Sequence, residues 1–262
     1  MDKGVITFSF DDAREDTYKV FKNILEPMRI PAVVYVPSGF VETGYNNVLE
    51  IGYNGLMSKQ ELDYVNQCRL FEIGGHGYMH RNDFEDIELG VDKLKEWYPD
   101  INSIGLASPH SKINKTFVMN NLSRYKKLGF SYVRGGRNFE KFTRIKRAVS
   151  LMARLTKSPV IFKWCYMHSV NKMPTNYYLN AIPIHKLTTL NQVIAIVDYC
   201  VKNKCWAILE FHGIDKKTSK EYTEEFCWLE DDFISLCNYV KKLEKENLIL
   251  IETPINIVLG EK

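Results

Sequence analysis

Short apolar runs alternate along this chain with longer segments in which apolar residues recur every three or four positions. The runs at 5–10, 32–36, 71–74, 103–107, 132–133, 160–165, 207–211 and 248–252 have the length and apolar content of strands. Between them, residues 16–28, 58–68, 84–97, 117–128, 190–202 and 231–246 show helical patterning. This alternation predicts an α/β fold with a parallel sheet covered by helices. About seven or eight such units favour closure into a barrel over an open, doubly wound sheet. In both architectures reactive residues gather past the carboxyl ends of the strands, where the polar outliers fall. Asp11 and Asp12 follow the first run, His76 the third, Pro109 and His110 the fourth and Arg134 the fifth, while His212 ends the run at 207–211.

Composition fits an ordinary globular protein, with 262 residues, 45% of them hydrophobic and 26% charged. No repeat or Pro/Gly/Ser-rich linker divides the chain, so residues 1–262 are expected to form a single domain. No apolar run approaches the roughly 18 to 20 residues of a membrane helix. Met1-Asp2-Lys3-Gly4 leads into the first strand without an apolar leader, which predicts a cytoplasmic protein. The cysteines form no CxxC pair and read as reduced core residues.

The net charge of +3 is too small to suggest a nucleic-acid partner. Its distribution is uneven. Arg134, Arg137, Lys141, Arg144, Lys146, Arg147, Arg154, Lys157 and Lys163 face one acid, Glu140, while Phe142, Ile145, Val149, Met152 and Leu155 recur at helical spacing. This is either a helix with a solvated basic face or a surface for an anionic partner, such as a phosphate-bearing substrate or a membrane met through residues 141–157.

Three features carry candidate chemistry. In Phe8-Ser9-Phe10-Asp11-Asp12, two carboxylates end an apolar strand, where a divalent cation would compensate their lost hydration; a turn or helix N-cap is the plainer reading. In His76-Gly77-Tyr78-Met79-His80, histidines four apart on a helical turn could meet one ion, the alternative being two surface histidines. His212, ending Leu209-Glu210-Phe211, could protonate a leaving nitrogen with Glu210 on the same side of its strand, or could be a core histidine.

In this order these elements resemble the polysaccharide deacetylase family, the carbohydrate esterases with a NodB homology domain, over residues 7 to about 255. The family's Thr-Phe-Asp-Asp-Gly corresponds to Ser9-Phe10-Asp11-Asp12-Ala13, its His-Ser/Thr-x-x-His to His76-Gly77-Tyr78-Met79-His80 and its Leu-x-Leu-His to Leu209-Glu210-Phe211-His212. The resemblance implies a distorted (β/α) barrel with seven strands. It also implies one metal ion, usually zinc and sometimes cobalt, nickel or manganese, held by Asp12, His76 and His80. Asp11 would be the general base for attack of metal-bound water on an amide, and His212 the general acid.

Several positions depart from the family pattern. Its Arg-x-Pro-Tyr is Ala107-Ser108-Pro109-His110 here, with Arg134 the candidate substitute for the missing arginine. Gly77 lacks a hydroxyl, Ala13 replaces a glycine, and the Asp-Trp element has no counterpart around Lys163-Trp164-Cys165. Pro109, His110, Arg134, Tyr78 and Trp164 are candidate substrate contacts, with His185 and Trp228 further candidates for the cleft wall.

Three functions follow. The first is removal of an acetyl or formyl group from an amino sugar that is small, nucleotide-linked or lipid-linked, in glycan or lipopolysaccharide biosynthesis. The others are hydrolysis of another C–N bond, such as a cyclic imide or ureide, and a non-catalytic sugar- or metal-binding module.

Overall fold

The computed structural model describes residues 2–44, 55–137, 143–172, 177–216, 218 and 227–260. Its strands are β1 (Gly4–Phe10), β2 (Ala32–Val36), β3 (Phe71–Gly75), β4 (Ile104–Ala107), β5 (Phe130–Arg134), β6 (Tyr178–Leu179), β7 (Ile182–Pro183), β8 (Trp206–Phe211), β9 (Gly213–Asp215), β10 (Cys227–Leu229) and β11 (Ile249–Ile251). Strands β6 to β1 run in the order β6-β5-β4-β3-β2-β1, followed by β8 and β7, and every pairing is parallel. β6 and β7 are two ends of one extended segment. Its first end pairs with β5 (Val133↔Tyr178, Arg134↔Leu179) and its second with β8 (Ile182↔Leu209, Pro183↔Glu210), which closes the ring. The result is a distorted (β/α) barrel of seven staves, namely β1 to β5, the β6–β7 segment and β8. β11 pairs with the first half of β1, and β9 with β10 forms a separate ribbon.

Alternate side chains divide between two cores. Ile6, Phe8 and Phe10 of β1 belong to the large apolar layer shared with the helices, whereas Val5 belongs to the barrel interior with Val33, Tyr35, Tyr132, Trp206 and Ile208. Ile257, on the helix Pro254–Leu259, joins that interior. The interior also carries a polar column. The hydroxyls of Tyr35 and Tyr132 lie 2.7 Å apart, Tyr132 donates to Glu72 at 2.5 Å, and the Ile255 N–H donates to the other Glu72 oxygen at 2.9 Å. Glycine opposite each tyrosine makes the room. A Cβ at Gly105 would lie 2.0 Å from the Tyr132 ring, and one at Gly74 2.5 Å from that of Tyr35.

The patterning misassigned several segments. Residues 160–165, expected as a strand, lie in the helix Pro159–Tyr166, where Ser158 caps the N-terminus by accepting from the Ile161 N–H and Pro159 occupies the first turn. Its buried residues Phe162, Cys165 and Tyr166 are three and four apart, a helical spacing that the β-branched content obscured. The segment at 117–128 breaks at Asn121 into Lys115–Asn120 and Leu122–Lys127, and that at 16–28 becomes Glu15–Val20 followed by a wider π turn, Phe21–Leu25.

The basic segment contains a helix, Thr143–Thr156, but of its apolar stripe Val149 packs against the core while most of the rest does not. Ile145, Met152 and Leu155 are 57%, 52% and 72% exposed, while Ser150 and Ala153 are buried against the body. The helix therefore seats by Val149, Ser150 and Ala153. Glu140, Lys141 and Phe142, and the side chain of Lys146, lie outside the described residues. No helix among those residues is long and apolar enough to cross a membrane.

Burial pushes the Glu72 carboxyl up to about 7, its hydrogen bonds from Tyr132 and Ile255 offsetting only part of the effect. The folded chain thus binds this proton more tightly than the unfolded chain, whose carboxyl titrates near 4.5. The associated stability is complete below that pH and is lost as pH rises through about 7, on the order of 3 kcal/mol in all. Glu72→Gln should remove this dependence. Urea unfolding at pH 5 and pH 8 is expected to show the variant gaining on the parent at the higher pH; parallel curves would mean that Glu72 is ionised throughout.

Candidate active site

At the mouth of the barrel, β1 continues one residue beyond its last strand position, the Asp11 N–H donating to the Phe211 carbonyl at 2.9 Å. Asp11 keeps the inward parity of Val5. Asp12 and Ala13 then take left-handed backbone angles, with φ of 73° and 48°, which turn the chain sharply. A side chain in this region costs roughly 1–2 kcal/mol, so the glycine expected at position 13 has a backbone reason.

β3 is likewise extended by His76, whose N–H donates to the Val36 carbonyl at 3.0 Å. Residues 76–80 then form a loop rather than the expected helical turn, because Gly77 and His80 have φ of 75° and 58°. The loop is organised by Asp86, in the first turn of the helix Phe84–Trp97. Its carboxylate accepts from the N–H groups of Tyr78, Met79 and Arg81 at 3.0, 2.8 and 2.9 Å. A Cβ at residue 77 would lie 2.4 Å from that carboxylate, so Gly77 is required here and Asp86 supports the loop in place of a hydroxyl. Nothing in the spacing of the two histidines pointed to Asp86.

Three donor atoms meet as a result. His76 Nε2 and His80 Nε2 are 3.1 Å apart, and Asp12 Oδ1 lies 3.4 and 3.5 Å from them. His76 Nδ1 faces the Ala107 carbonyl at 3.0 Å; because a carbonyl only accepts, Nδ1 carries the hydrogen and Nε2 is left to face Asp12 or an ion, and although burial would lower the pKa of this ring, Asp12 and Asp11 outweigh it and raise it. Burial and then His76 push His80 down to about 3, which keeps it neutral. Burial would raise Asp12, but His76, His212 and His80 outweigh it and hold the carboxyl well below its usual range. Asp12 Oδ1 is buried without a hydrogen-bond donor.

These residues fit a divalent cation. Donors about 2.0–2.2 Å from one ion at roughly tetrahedral or octahedral angles lie about 3 to 3.5 Å from each other, the spacing found here. Three protein ligands leave coordination positions for water and substrate, as catalytic rather than structural sites do.

Beside this group, Arg134 at the end of β5 sends one guanidinium nitrogen to both Asp11 oxygens at 2.6 Å and the other to Glu210. All three residues are buried. Burial would lower the Arg134 pKa, but Asp11 and Glu210 outweigh it and hold the guanidinium firmly charged. Burial raises Glu210, with Arg134 opposing. Glu210 is thus bound to Arg134, and His212 lies within 4.8 Å of both Glu210 and Asp11.

Asp11, Asp12, His76, His80, His110, Ser111, Glu210 and His212 line one cleft of about 290 Å³. His110 lies against His80 with ring centroids 4.3 Å apart and the rings tilted by 55°, and the Pro109 carbonyl accepts from Asn82. Other candidates fall elsewhere. Tyr78 donates to Glu42 at 2.6 Å, Trp164 sits half-exposed on the helix Pro159–Tyr166, and Trp228 is a core residue donating to the Thr188 carbonyl. None of these three lines the cleft. His185 lines a neighbouring cavity.

No protein-family model matches the sequence, and no curated protein does. The fold has solved counterparts. A presumed polysaccharide deacetylase from Mycobacterium smegmatis superposes with a TM-score of 0.50 at 11% identity, covering 99% of this chain and 91% of that one. The Streptococcus pyogenes deacetylase PplD, in complex with acetate, matches at 19% identity and TM-score 0.40 over 49% of this chain and 54% of that one. The BpsB deacetylase domain from Bordetella bronchiseptica matches at 15% identity and TM-score 0.40, over 50% and 63%. This chain thus spans less than two thirds of the latter two structures, and the likeness over nearly the whole length is the informative one. The protein has the fold of a polysaccharide deacetylase.

Replacing Arg134 by Met should lower stability by about 3–5 kcal/mol, because two buried carboxylates lose their shared cation. Adding Asp11→Asn to that variant should recover part of the loss in thermal melts; equal losses in both would mean that packing, not charge, is responsible. Ala13→Gly should be neutral or stabilising by up to about 1 kcal/mol, since it removes the left-handed strain.

Proposed function

We propose that this protein is a metal-dependent N-deacylase of the polysaccharide deacetylase family, which removes an acetyl or formyl group from an amino sugar. The observation that carries the reading is the convergence of Asp12, His76 and His80 beside Asp11 and His212 in one cleft. Asp12, His76 and His80 would hold the ion, zinc being the first choice for two imidazoles and a carboxylate. Bound there, the ion supplies Lewis acidity to the amide carbonyl and lowers the pKa of water.

The chain's own residues do the rest. Asp11 accepts the proton of the attacking water, and Arg134 holds both oxygens of this base in place while excluding other partners. His212, whose imidazole lies within 4.8 Å of Asp11 across the cleft, donates a proton to the departing amine. Arg134 takes the orienting role of the arginine that Ala107 lacks, reaching the base from the next strand. A non-catalytic module would have little need for a buried, arginine-clamped carboxylate beside an intact donor set.

With zinc-loaded protein and N-acetylated or N-formylated amino sugars, released acid measured enzymatically should depend on metal and stop on chelation. Asp11→Asn should lower kcat by about 10²-fold or more while retaining the metal. Acid release unaffected by chelation and by this change would exclude catalysis at this site; ring opening of an imide or ureide without acid release would redirect the chemistry to another C–N bond.

A further inference from the structure

A second cavity, of about 300 Å³, adjoins the cleft. Ser111, Glu210 and His212 line both, so the two form one trough. Gly136 keeps the passage open, for a Cβ there would lie 2.6 Å from Ser111 Oγ. The far wall carries two guanidinium groups, Arg137 and Arg154, beside the imidazole of His185, which burial and then Arg154 push down to about 3 and so keep neutral; among the described residues the acid lining the cavity, Glu210, is engaged by Arg134.

Two observations mark this wall as a site. His185 is only 8% exposed, and its Nδ1 has no hydrogen-bond partner. Arg154 is held beside the cavity by a dedicated contact. Gln192, fully buried, donates to the carbonyl of the preceding residue, Ala153, at 2.7 Å and so pins that turn of the helix Thr143–Thr156 to the body. Guanidinium groups match the geometry and charge of phosphate oxygens. Two guanidinium groups beside the sugar cleft suit a phosphate ester better than an uncharged sugar chain.

We propose that the second cavity is a phosphate subsite, so that the substrate is an N-acylated amino sugar bearing a phosphate ester on the same sugar. The proposal deepens the N-deacylase reading and rests on it for the identity of the sugar. Phosphate can come from a soluble sugar phosphate or from a lipid carrier. The surroundings favour the lipid. Ile145, Leu151, Met152 and Leu155, on the helix that carries Arg154, and Val160 and Trp164 on the next helix are about half or more exposed. No acidic residue lies between Glu140 and Asp198. An apolar face with basic residues around it suits the surface of an anionic bilayer.

Two measurements test this. Calorimetry with zinc-loaded protein and glucosamine 1-phosphate, which has no acyl group to lose, should show binding that weakens at least about tenfold in Arg154→Gln and is partly restored in Arg154→Lys. In hydrolysis, kcat/KM for N-acetylglucosamine 1-phosphate should exceed that for N-acetylglucosamine, and Arg154→Gln should shrink this ratio through KM. Arginine-dependent binding without hydrolysis of any N-acyl sugar would overturn the deacylase reading and keep the subsite. Hydrolysis with equal preference for the phosphorylated and neutral sugars, or a ratio indifferent to Arg154, would overturn the subsite and keep the reading. A polyprenyl-phosphate-linked N-acetyl sugar in phosphatidylglycerol vesicles should be turned over faster than a uridine diphosphate sugar, with Met152→Ser/Leu155→Ser slowing only the vesicle reaction. Preference for the soluble nucleotide sugar, unaffected by that pair, would overturn the lipid source.

Discussion

A single buried guanidinium organises the mouth of this barrel. Arg134 reaches from the end of β5 to carboxylates at the ends of β1 and β8. Burying three ionisable groups is costly unless they satisfy each other, and the attraction among them is strong because water is excluded. The arrangement therefore fixes three strand ends relative to one another. Once Asp11 is held by Arg134, the left-handed turn at Asp12 and Ala13 delivers the next carboxylate to the opposite partners, His76 and His80. One pair of adjacent acids is thereby given two environments, an arginine for one and two imidazoles for the other.

The column below the mouth explains why the barrel tolerates polar groups in its interior. Tyr35 lies under Arg134, with the guanidinium 4.9 Å from its ring centroid, and passes a hydrogen bond through Tyr132 to Glu72. Trp206 adds another such contact, its indole donating to Thr7 at 2.9 Å. Large aromatic groups fill the narrow interior, while their polar ends find partners there.

Much of this was legible in the sequence, and the failures have physical reasons. Six of the seven staves were seen because fully buried parallel strands are apolar runs flanked by amphipathic helices. The seventh was missed because Tyr178–Pro183 contributes two pairing residues to each neighbour and has no apolar run to betray it. The helix Pro159–Tyr166 was mistaken for that stave on its Val, Ile, Phe and Trp content, against the Ser158-Pro159 start signal that contradicted it. The gathering of Asp11, Asp12, His76, His80 and His212 in one cleft was readable because residues that follow parallel strands share one end of the barrel. Asp86 was not, since a carboxylate that anchors a loop by backbone N–H groups leaves no mark beyond an acid in the first turn of a helix. The basic helix shows the limit of periodicity, for an apolar stripe need not face the core of its own chain.

Crystals grown with zinc and measured above and below its absorption edge test the central claim most directly. An anomalous peak is expected in the cleft, with Asp12 Oδ1, His76 Nε2 and His80 Nε2 about 2.0–2.2 Å away. An ion bound elsewhere while these three atoms stay apart, or hydrogen-bond only to one another, would contradict it.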